Sequence, residues 1–154
     1  MVSIRKATLE DIESIHLIET LIFNKGSYPL FVLRQLYDIS QDYFYVAEEH
    51  QQLIGYVLGN VVKNTNQGWI LSLGVHPDAR GKNLGRQLTE QLLETLEHEL
   101  STEICLTVHP DNTSAIRIYE SIGFINSTTY DAYYGANEPR LLMKKTLMSQ
   151  PFNT

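Results

Sequence analysis

The stretch from Trp69 to Gly123 constrains the fold of this chain more than any other. An apolar, β-rich run, Trp69 to Val75, ends in the turn His76-Pro77-Asp78-Ala79. A leucine stripe at helical spacing follows, Leu84, Leu88, Leu92, Leu93 and Leu96. A second β-rich run, Ile104 to Val108, leads to a helix capped by Asp111 or Asn112 and ended by Gly123. A strand–helix–strand–helix order buries its apolar stripes against a sheet, so an α/β (α+β) domain is expected.

The flanking segments add to that centre. Val2 to Ala7 reads as a short strand. Thr8, with Asp11 three residues on, opens a helix whose apolar positions Ile12, Ile15, Leu17, Ile18, Leu21 and Ile22 recur at helical spacing. Asn24 to Pro29 breaks it, and Pro29 suits the first turn of a second helix, Leu30 to Ile39. Tyr43 to Glu48, Leu53 to Val62 and Trp69 to Val75 form an antiparallel meander, in which Gly55 and Gly59 mark bulges or close backbone approach. Phe124 to Tyr130 and Arg140 to Thr146 are two last strands. Residues 1–148 read as one domain and 149–154 as a short tail; 154 residues can bury a core without staples.

Composition narrows the function classes. A net charge of −6 argues against nucleic acid as a partner and is compatible with a cationic substrate. The single cysteine, Cys105, excludes an internal disulfide and reads as a core residue of its strand. The five histidines, at 16, 50, 76, 98 and 109, show no paired ligand spacing, so no metal is expected. No apolar run approaches membrane-spanning length, and Met1 to Glu13 lacks the order of a secretory signal; a cytoplasmic protein with no membrane partner is expected.

Two constellations carry chemistry. Arg80, Lys82 and Arg86 place three cations within seven residues, at the start of a helix whose N-terminus offers unpaired N–H donors. With Gly81 and Gly85 this suits a pyrophosphate; a plain strand-to-helix turn with solvated charges is the other reading. Neither GxxxxGK[ST] nor GxGxxG is present. Further on, Asn112, Ala115 and Tyr119 share one helical face, so that an amide, a gap and a phenol line up. Asn112 as a simple cap and Tyr119 as an ordinary half-buried ring are the other reading there.

Together the two segments resemble the GNAT family of N-acetyltransferases, loosely its ribosomal-protein and N-terminal alanine acetyltransferases. The resemblance runs from the first strand to Lys145. The family's helix motif, Asn-x-x-Ala-x-x-x-Tyr-x-x-x-Gly-Phe, is complete in Asn112, Ala115, Tyr119, Gly123 and Phe124. Its loop, Arg/Gln-x-x-Gly-x-Gly/Ala, appears as Arg80-Gly81-Lys82-Asn83-Leu84-Gly85, with Asn83 in place of the first glycine. Asn tolerates positive φ better than most residues, which would preserve the loop. The departure bears on cofactor affinity.

The resemblance implies a mostly antiparallel sheet of six to seven strands with about four helices, splayed between the strands at 69–75 and 104–108. It implies acetyl-CoA as acyl donor. Leu73, Gly74 and Val75 would hold the pantetheine arm, and Gly74 would mark the deformed point of the strand. Arg80, Gly81, Lys82, Asn83, Leu84, Gly85 and Arg86 would take the pyrophosphate, with Asn112, Ala115 and Tyr119 beside the thioester. Tyr119 would protonate the departing thiolate as general acid. Where relatives carry a Glu or His base, this chain has Thr107; His109, two residues on, is the candidate base or water relay, or else shapes its turn. Glu19, Glu48 and Asp131 are further base candidates. Tyr28, in the segment linking the first helices, and Tyr133-Tyr134 in the last hairpin are candidate acceptor contacts, and a tyrosine-rich surface hairpin is the alternative. The acceptor is a primary amine, a protein or peptide N-terminus or a small amine such as a polyamine, amino acid or aminoglycoside. A non-catalytic acyl-CoA sensor is the remaining class, and a homodimer is compatible with the family.

Overall fold

A computed structural model describes residues 1–99 and 101–147. The expected tail, 149–154, lies outside them. In chain order the elements are β1 (Ser3–Lys6), α1 (Ile12–Phe23), α2 (Leu30–Ser40), β2 (Phe44–Glu49), β3 (Gln52–Val61), β4 (Gln67–Val75), α3 (Leu84–His98), β5 (Glu103–Val108), α4 (Thr113–Ile122), β6 (Ile125–Tyr130) and β7 (Arg140–Thr146). The described residues form one seven-stranded sheet, ordered β1-β2-β3-β4-β5-β7-β6.

Every neighbouring pair is antiparallel except β4 and β5. These two run parallel and touch only at their starts, Gln67 with Glu103, Gly68 with Ile104 and Trp69 with Cys105. Beyond Trp69 they diverge, which is the expected splay. β4 stays paired to β3 as far as Val75, and β5 to β7 as far as Val108. The sheet therefore opens in its middle, with a strand edge on each side.

Strand alternation sorts side chains onto two faces. Tyr45, Ala47, Val57, Ile104, Leu106 and Val108 join one core with the leucine stripe of α3 and with Tyr119 of α4. Phe44, Val46, Tyr56 and Leu58 join a second core with Ile12, Ile15 and Ile18 of α1 and Leu33 of α2. β4 breaks the alternation. Leu58 pairs with Ser72 but Gly59 with Ile70, so Leu71 is the extra residue of a bulge. Ile70 and Leu73 both reach the α3 core although three apart, while Leu71 lies against the α1 core. The strand is thus deformed at Leu71 and not at Gly74, which keeps its place opposite Tyr56. Gly74 has a different reason to be glycine: a Cβ there would lie 2.5 Å from Tyr56 Cε1. Of the two glycines expected at bulges, Gly59 faces the Leu71 bulge, and a Cβ on it would lie 2.5 Å from the Trp69 carbonyl oxygen. Gly55 follows Ile54, the extra residue opposite Ala47 and Glu48.

Helix α1 corrects one expectation. Leu17 and Leu21 are 66% and 55% exposed, whereas Glu19 is 2% exposed. The buried stripe is Ile12, Ile15, Glu19 and, half-buried, Ile22, a spacing of three or four that points a carboxylate into the protein. Ahead of the helix, Thr8 donates its N–H to Asp11 Oδ2 at 2.7 Å. Burial pushes the Asp11 carboxyl up, but the Arg5 guanidinium and that N–H outweigh it and hold the group below its ordinary range.

Candidate active site

The turn into α3 is a backbone device. Gly81 has φ 87° and Asn83 has φ 59°, both left-handed. Asn83 occupies the cap position of α3, but its side chain makes no capping bond. Its value lies in tolerating that backbone, as the sequence suggested. The N–H groups of the first helical turn, Leu84, Gly85 and Arg86, have no intrahelical acceptor and point out of the helix end. An atom at the Cβ position of Gly81 would meet nothing within 4 Å, so the approach is open. Gly85 has another role: it is buried, and a Cβ on it would sit 2.9 Å from Ile118 Cδ1, so it lets α3 and α4 close together.

The three cations of the turn are not equivalent. Lys82 Nζ lies 2.9 Å from Glu49 Oε1 and Arg86 Nε 3.3 Å from Glu90 Oε1. The Lys82 hydrogen bond holds the Glu49 carboxyl below its usual range. Arg86 Nη1 also reaches Ser121 Oγ at 3.4 Å, tying α3 to α4. Arg80 is exposed and has no ion-pair partner among the described residues.

Helix α4 brings the second motif to the same core. Asn112 Oδ1 accepts the Ala115 N–H at 3.2 Å, so Asn112 is the cap of α4. Its amide nitrogen has no partner among the described residues. Gly123 ends the helix at φ 111°. Tyr119 packs edge-on against Phe124, with ring centroids 5.6 Å apart. Leu73, Val75, Leu84, Ala115 and Tyr119 belong to one cluster, so strand, turn and helix converge. Burial holds the Tyr119 phenol above its ordinary range, which keeps it protonated at neutral pH. No buried side-chain polar atom lacks a partner among the described residues, and the Tyr119 hydroxyl makes no hydrogen bond among them. Tyr119 as a whole is buried, 6% exposed.

The far side of the opening is aromatic. Thr107 Oγ1 and Tyr134 Oη lie 3.2 Å apart, joining β5 to the β6–β7 hairpin. Tyr133 and Tyr134 meet edge to face at 4.8 Å, Tyr130 and Tyr133 at 5.2 Å, and the Arg140 guanidinium lies 5.0 Å from the Tyr134 centroid. From the α1–α2 segment, the Tyr28 hydroxyl donates to the Leu71 carbonyl at 3.5 Å, at the bulge. Burial, then the neighbouring Tyr134 and Glu19, raise the Tyr28 phenol. Tyr28 and Tyr134 thus flank the opening from two remote segments, and Tyr133 braces Tyr134.

The base candidates separate. His109 follows β5, and its Nδ1 accepts the Asp111 N–H at 3.0 Å, which shapes the turn and leaves Nε2 as the ring nitrogen for a relay. Glu48 pairs with Arg5 at 3.4 Å, on the β1 side of the sheet. Glu19 is enclosed, its carboxylate receiving the Tyr28 N–H and the Ser72 hydroxyl. Sequence reasoning left it without a place; the signal was an acid on the stripe of Ile12, Ile15 and Ile22. Cys105 is buried, its thiol pushed up to about 11 by that burial. Among the described residues no three His, Cys, Asp or Glu gather as metal ligands, and no helix is long and apolar enough to cross a membrane.

Comparison with known proteins identifies the family and the fold. The acetyltransferase (GNAT) family model matches residues 9–124. An uncharacterized N-acetyltransferase of Methanocaldococcus jannaschii is 31% identical over 147 residues, covering 92% of this chain and 90% of its own. The N-terminal acetyltransferase B complex catalytic subunit NAA20 of Arabidopsis thaliana is 32% identical over 138 residues, 86% of this chain and 74% of that protein. Among solved structures, Ard1 from Thermoplasma volcanium superposes with a TM-score of 0.88 at 23% identity, over 96% of this chain and 99% of that one. Naa50 of Arabidopsis thaliana, in complex with the bisubstrate analogue CoA-Ac-MVNAL, superposes at 0.81 with 21% identity, over 95% and 99%. At those identities the superpositions show a shared fold.

Proposed function

The chain belongs to the GNAT acetyltransferase family and is an acetyl-CoA-dependent N-acetyltransferase, and we propose that its acceptor is the α-amino group of a protein or peptide N-terminus. The observation that carries this reading is the pair of remote tyrosines, Tyr28 and Tyr134, flanking the opening on the face away from the α3 turn. Rigid phenols with polar tips suit an extended peptide backbone, which offers both apolar and hydrogen-bonding groups. The similarity to an N-terminal acetyltransferase subunit supports the same acceptor.

The residues fit the donor. The first-turn N–H groups of α3, the left-handed Gly81 and Asn83, and Arg80 form an anion cradle for the pyrophosphate. The diverging edge of β4, Leu73 to Val75, offers backbone groups to the pantetheine amides, and the Asn112 amide nitrogen and the space beside Ala115 lie along α4. Lys82 and Arg86 join once they leave Glu49 and Glu90.

Acetyl-CoA, when bound, supplies a thioester whose acyl carbon takes the amine nitrogen as its C–S bond breaks. Tyr119 donates the phenolic proton that the departing sulfur needs; a phenol near pKa 10, raised further by burial, stays a donor at neutral pH. The protonated amine sheds one proton to water, directly or through His109 Nε2, before it attacks. The second proton, lost from nitrogen as the amide forms, returns through water to the Tyr119 phenolate. An α-amine of pKa near 7.8 costs about 1 kcal/mol to deprotonate at pH 7, whereas a lysine amine costs roughly 4–5 kcal/mol. With Thr107 beside Tyr134, where relatives carry a base, the site favours the acceptor that needs least help. The enzyme acts as a cytoplasmic protein on this reading.

Thiol release from acetyl-CoA tests it, with short peptides compared against polyamines, amino acids and aminoglycosides. Peptides should give the highest kcat/KM. A polyamine or aminoglycoside exceeding every peptide would overturn the N-terminal reading while leaving the acetyltransferase in place.

A further inference from the structure

Glu19 is a buried carboxylate that the chemistry above does not use. It sits on the core-facing side of α1 and is 2% exposed. A carboxylate removed from water is tolerated only where donors replace its hydration. Three neutral donors do so. The Tyr28 N–H bonds Oε2 at 2.8 Å, the Ser72 hydroxyl bonds Oε1 at 2.9 Å, and the Tyr56 phenol bonds Oε1 as well. Ser72 and Tyr56 are themselves 3.1 Å apart.

Each donor comes from a different part of the site. Tyr28 belongs to the segment between α1 and α2, which begins at Asn24, with a positive φ of 49°, and a single 3-10 turn, Asn24–Gly26. Ser72 follows the Leu71 bulge of β4. The Tyr56 ring lies against Gly74, on the strand edge assigned to the pantetheine. One carboxylate therefore joins the acceptor segment to the strand that carries the thioester. The bond to the Tyr28 N–H, at 2.8 Å, is also the shorter of that residue's two ties there; its hydroxyl reaches the Leu71 carbonyl at 3.5 Å.

We propose that Glu19 is a positioning residue for the acceptor: its carboxylate anchors the backbone of Tyr28 to the bulged part of β4 and so sets the width of the acceptor cleft. The proposal rests on the reading of Tyr28 as an acceptor contact. Because the anchor is a main-chain N–H, it survives any change of the Tyr28 side chain.

The variants have distinct expectations. Glu19→Ala leaves the Tyr28 N–H without its acceptor. Glu19→Gln can keep an oxygen on that N–H while its amide NH₂ faces the Ser72 and Tyr56 oxygens, each of which can accept. The experiment measures amide hydrogen exchange at Tyr28 and along β4, the KM of a peptide acceptor, kcat, and acetyl-CoA affinity. In Glu19→Ala, exchange at Tyr28 and the acceptor KM should each rise about tenfold, the scale of one charge-assisted hydrogen bond. Acetyl-CoA affinity and exchange along β4 should stay within about twofold, and Glu19→Gln should recover most of the loss. Unchanged exchange at Tyr28, or an unchanged acceptor KM, in a folded Glu19→Ala would overturn the proposal. So would an equal loss of acetyl-CoA affinity, which marks a general packing role. Should Glu19→Ala not fold, Glu19→Asp keeps the charge but withdraws the oxygens by one methylene, and the same readouts decide. If the wild-type protein acetylates no peptide, the N-terminal reading fails alone. Exchange at Tyr28 and the KM of the amine it does acetylate then judge the anchor.

Discussion

The two faces of the sheet meet at the β4–β5 opening but are built by different means. On the α3–α4 face the site is mostly backbone: left-handed turns at Gly81 and Asn83, the open end of α3, the Asn112 cap and a strand edge left by the splay. On the α1–α2 face it is mostly side chains brought from remote segments: Tyr28, Thr107, Tyr134 and the buried Glu19. The lesson is a division of labour. On the proposed assignment of the site, a donor common to a whole family is held by conformation, whereas the acceptor is read by side chains that can change while the sheet stays the same.

The sharpest way to test that division is Tyr119→Phe. The ring still packs on Phe124, so acetyl-CoA binding should stay within about twofold while kcat falls about 100-fold, the lower range for loss of a general acid. Because burial raises the phenol, wild-type kcat should show no loss from phenol ionisation below about pH 10. A Tyr119→Phe enzyme that loses donor binding instead would merge the two roles. Gly74→Ala should do what no single-face change does. Its Cβ would press the Tyr56 ring, which lies on the α1 side of the strand proposed to bind the donor, and cost about 1–3 kcal/mol in chemical denaturation. Tyr134→Ala should act on one face only, raising the acceptor KM several-fold, roughly the value of one exposed aromatic and its hydrogen bond, with acetyl-CoA KM unchanged. The smallest effect belongs to Glu49→Gln. Freeing Lys82 for phosphate should tighten acetyl-CoA about twofold at low salt, and the gain should vanish in high salt as screening takes over.

The same contrast governs what the sequence made legible. Strand and helix order and the leucine stripe of α3 follow from local spacing, because backbone conformation is set by a few adjacent residues, whereas the splay and the left-handed Asn83 were expected from the family resemblance. The Leu71 bulge was assigned to Gly74, since a glycine in a strand signals a close approach without saying to what; here it is the Tyr56 ring. Leu17 and Leu21 were grouped with the apolar positions of α1, yet the helix turns them outward and turns Glu19 in. Lys82 and Arg86 were read as free cations, because their carboxylate partners, Glu49 from a distant hairpin and Glu90 one turn on, are invisible to a motif. The Thr107–Tyr134 contact spans 27 residues, and no spacing rule encodes it.

The central claim is that this acetyltransferase modifies peptide N-termini. The most direct measurement is site-resolved mass spectrometry of one peptide carrying both a free α-amine and an internal lysine, after incubation with the enzyme and acetyl-CoA near pH 7. The account predicts acetyl at the N-terminal nitrogen and none at the lysine. Acetyl on the lysine, with the N-terminus untouched, would contradict it.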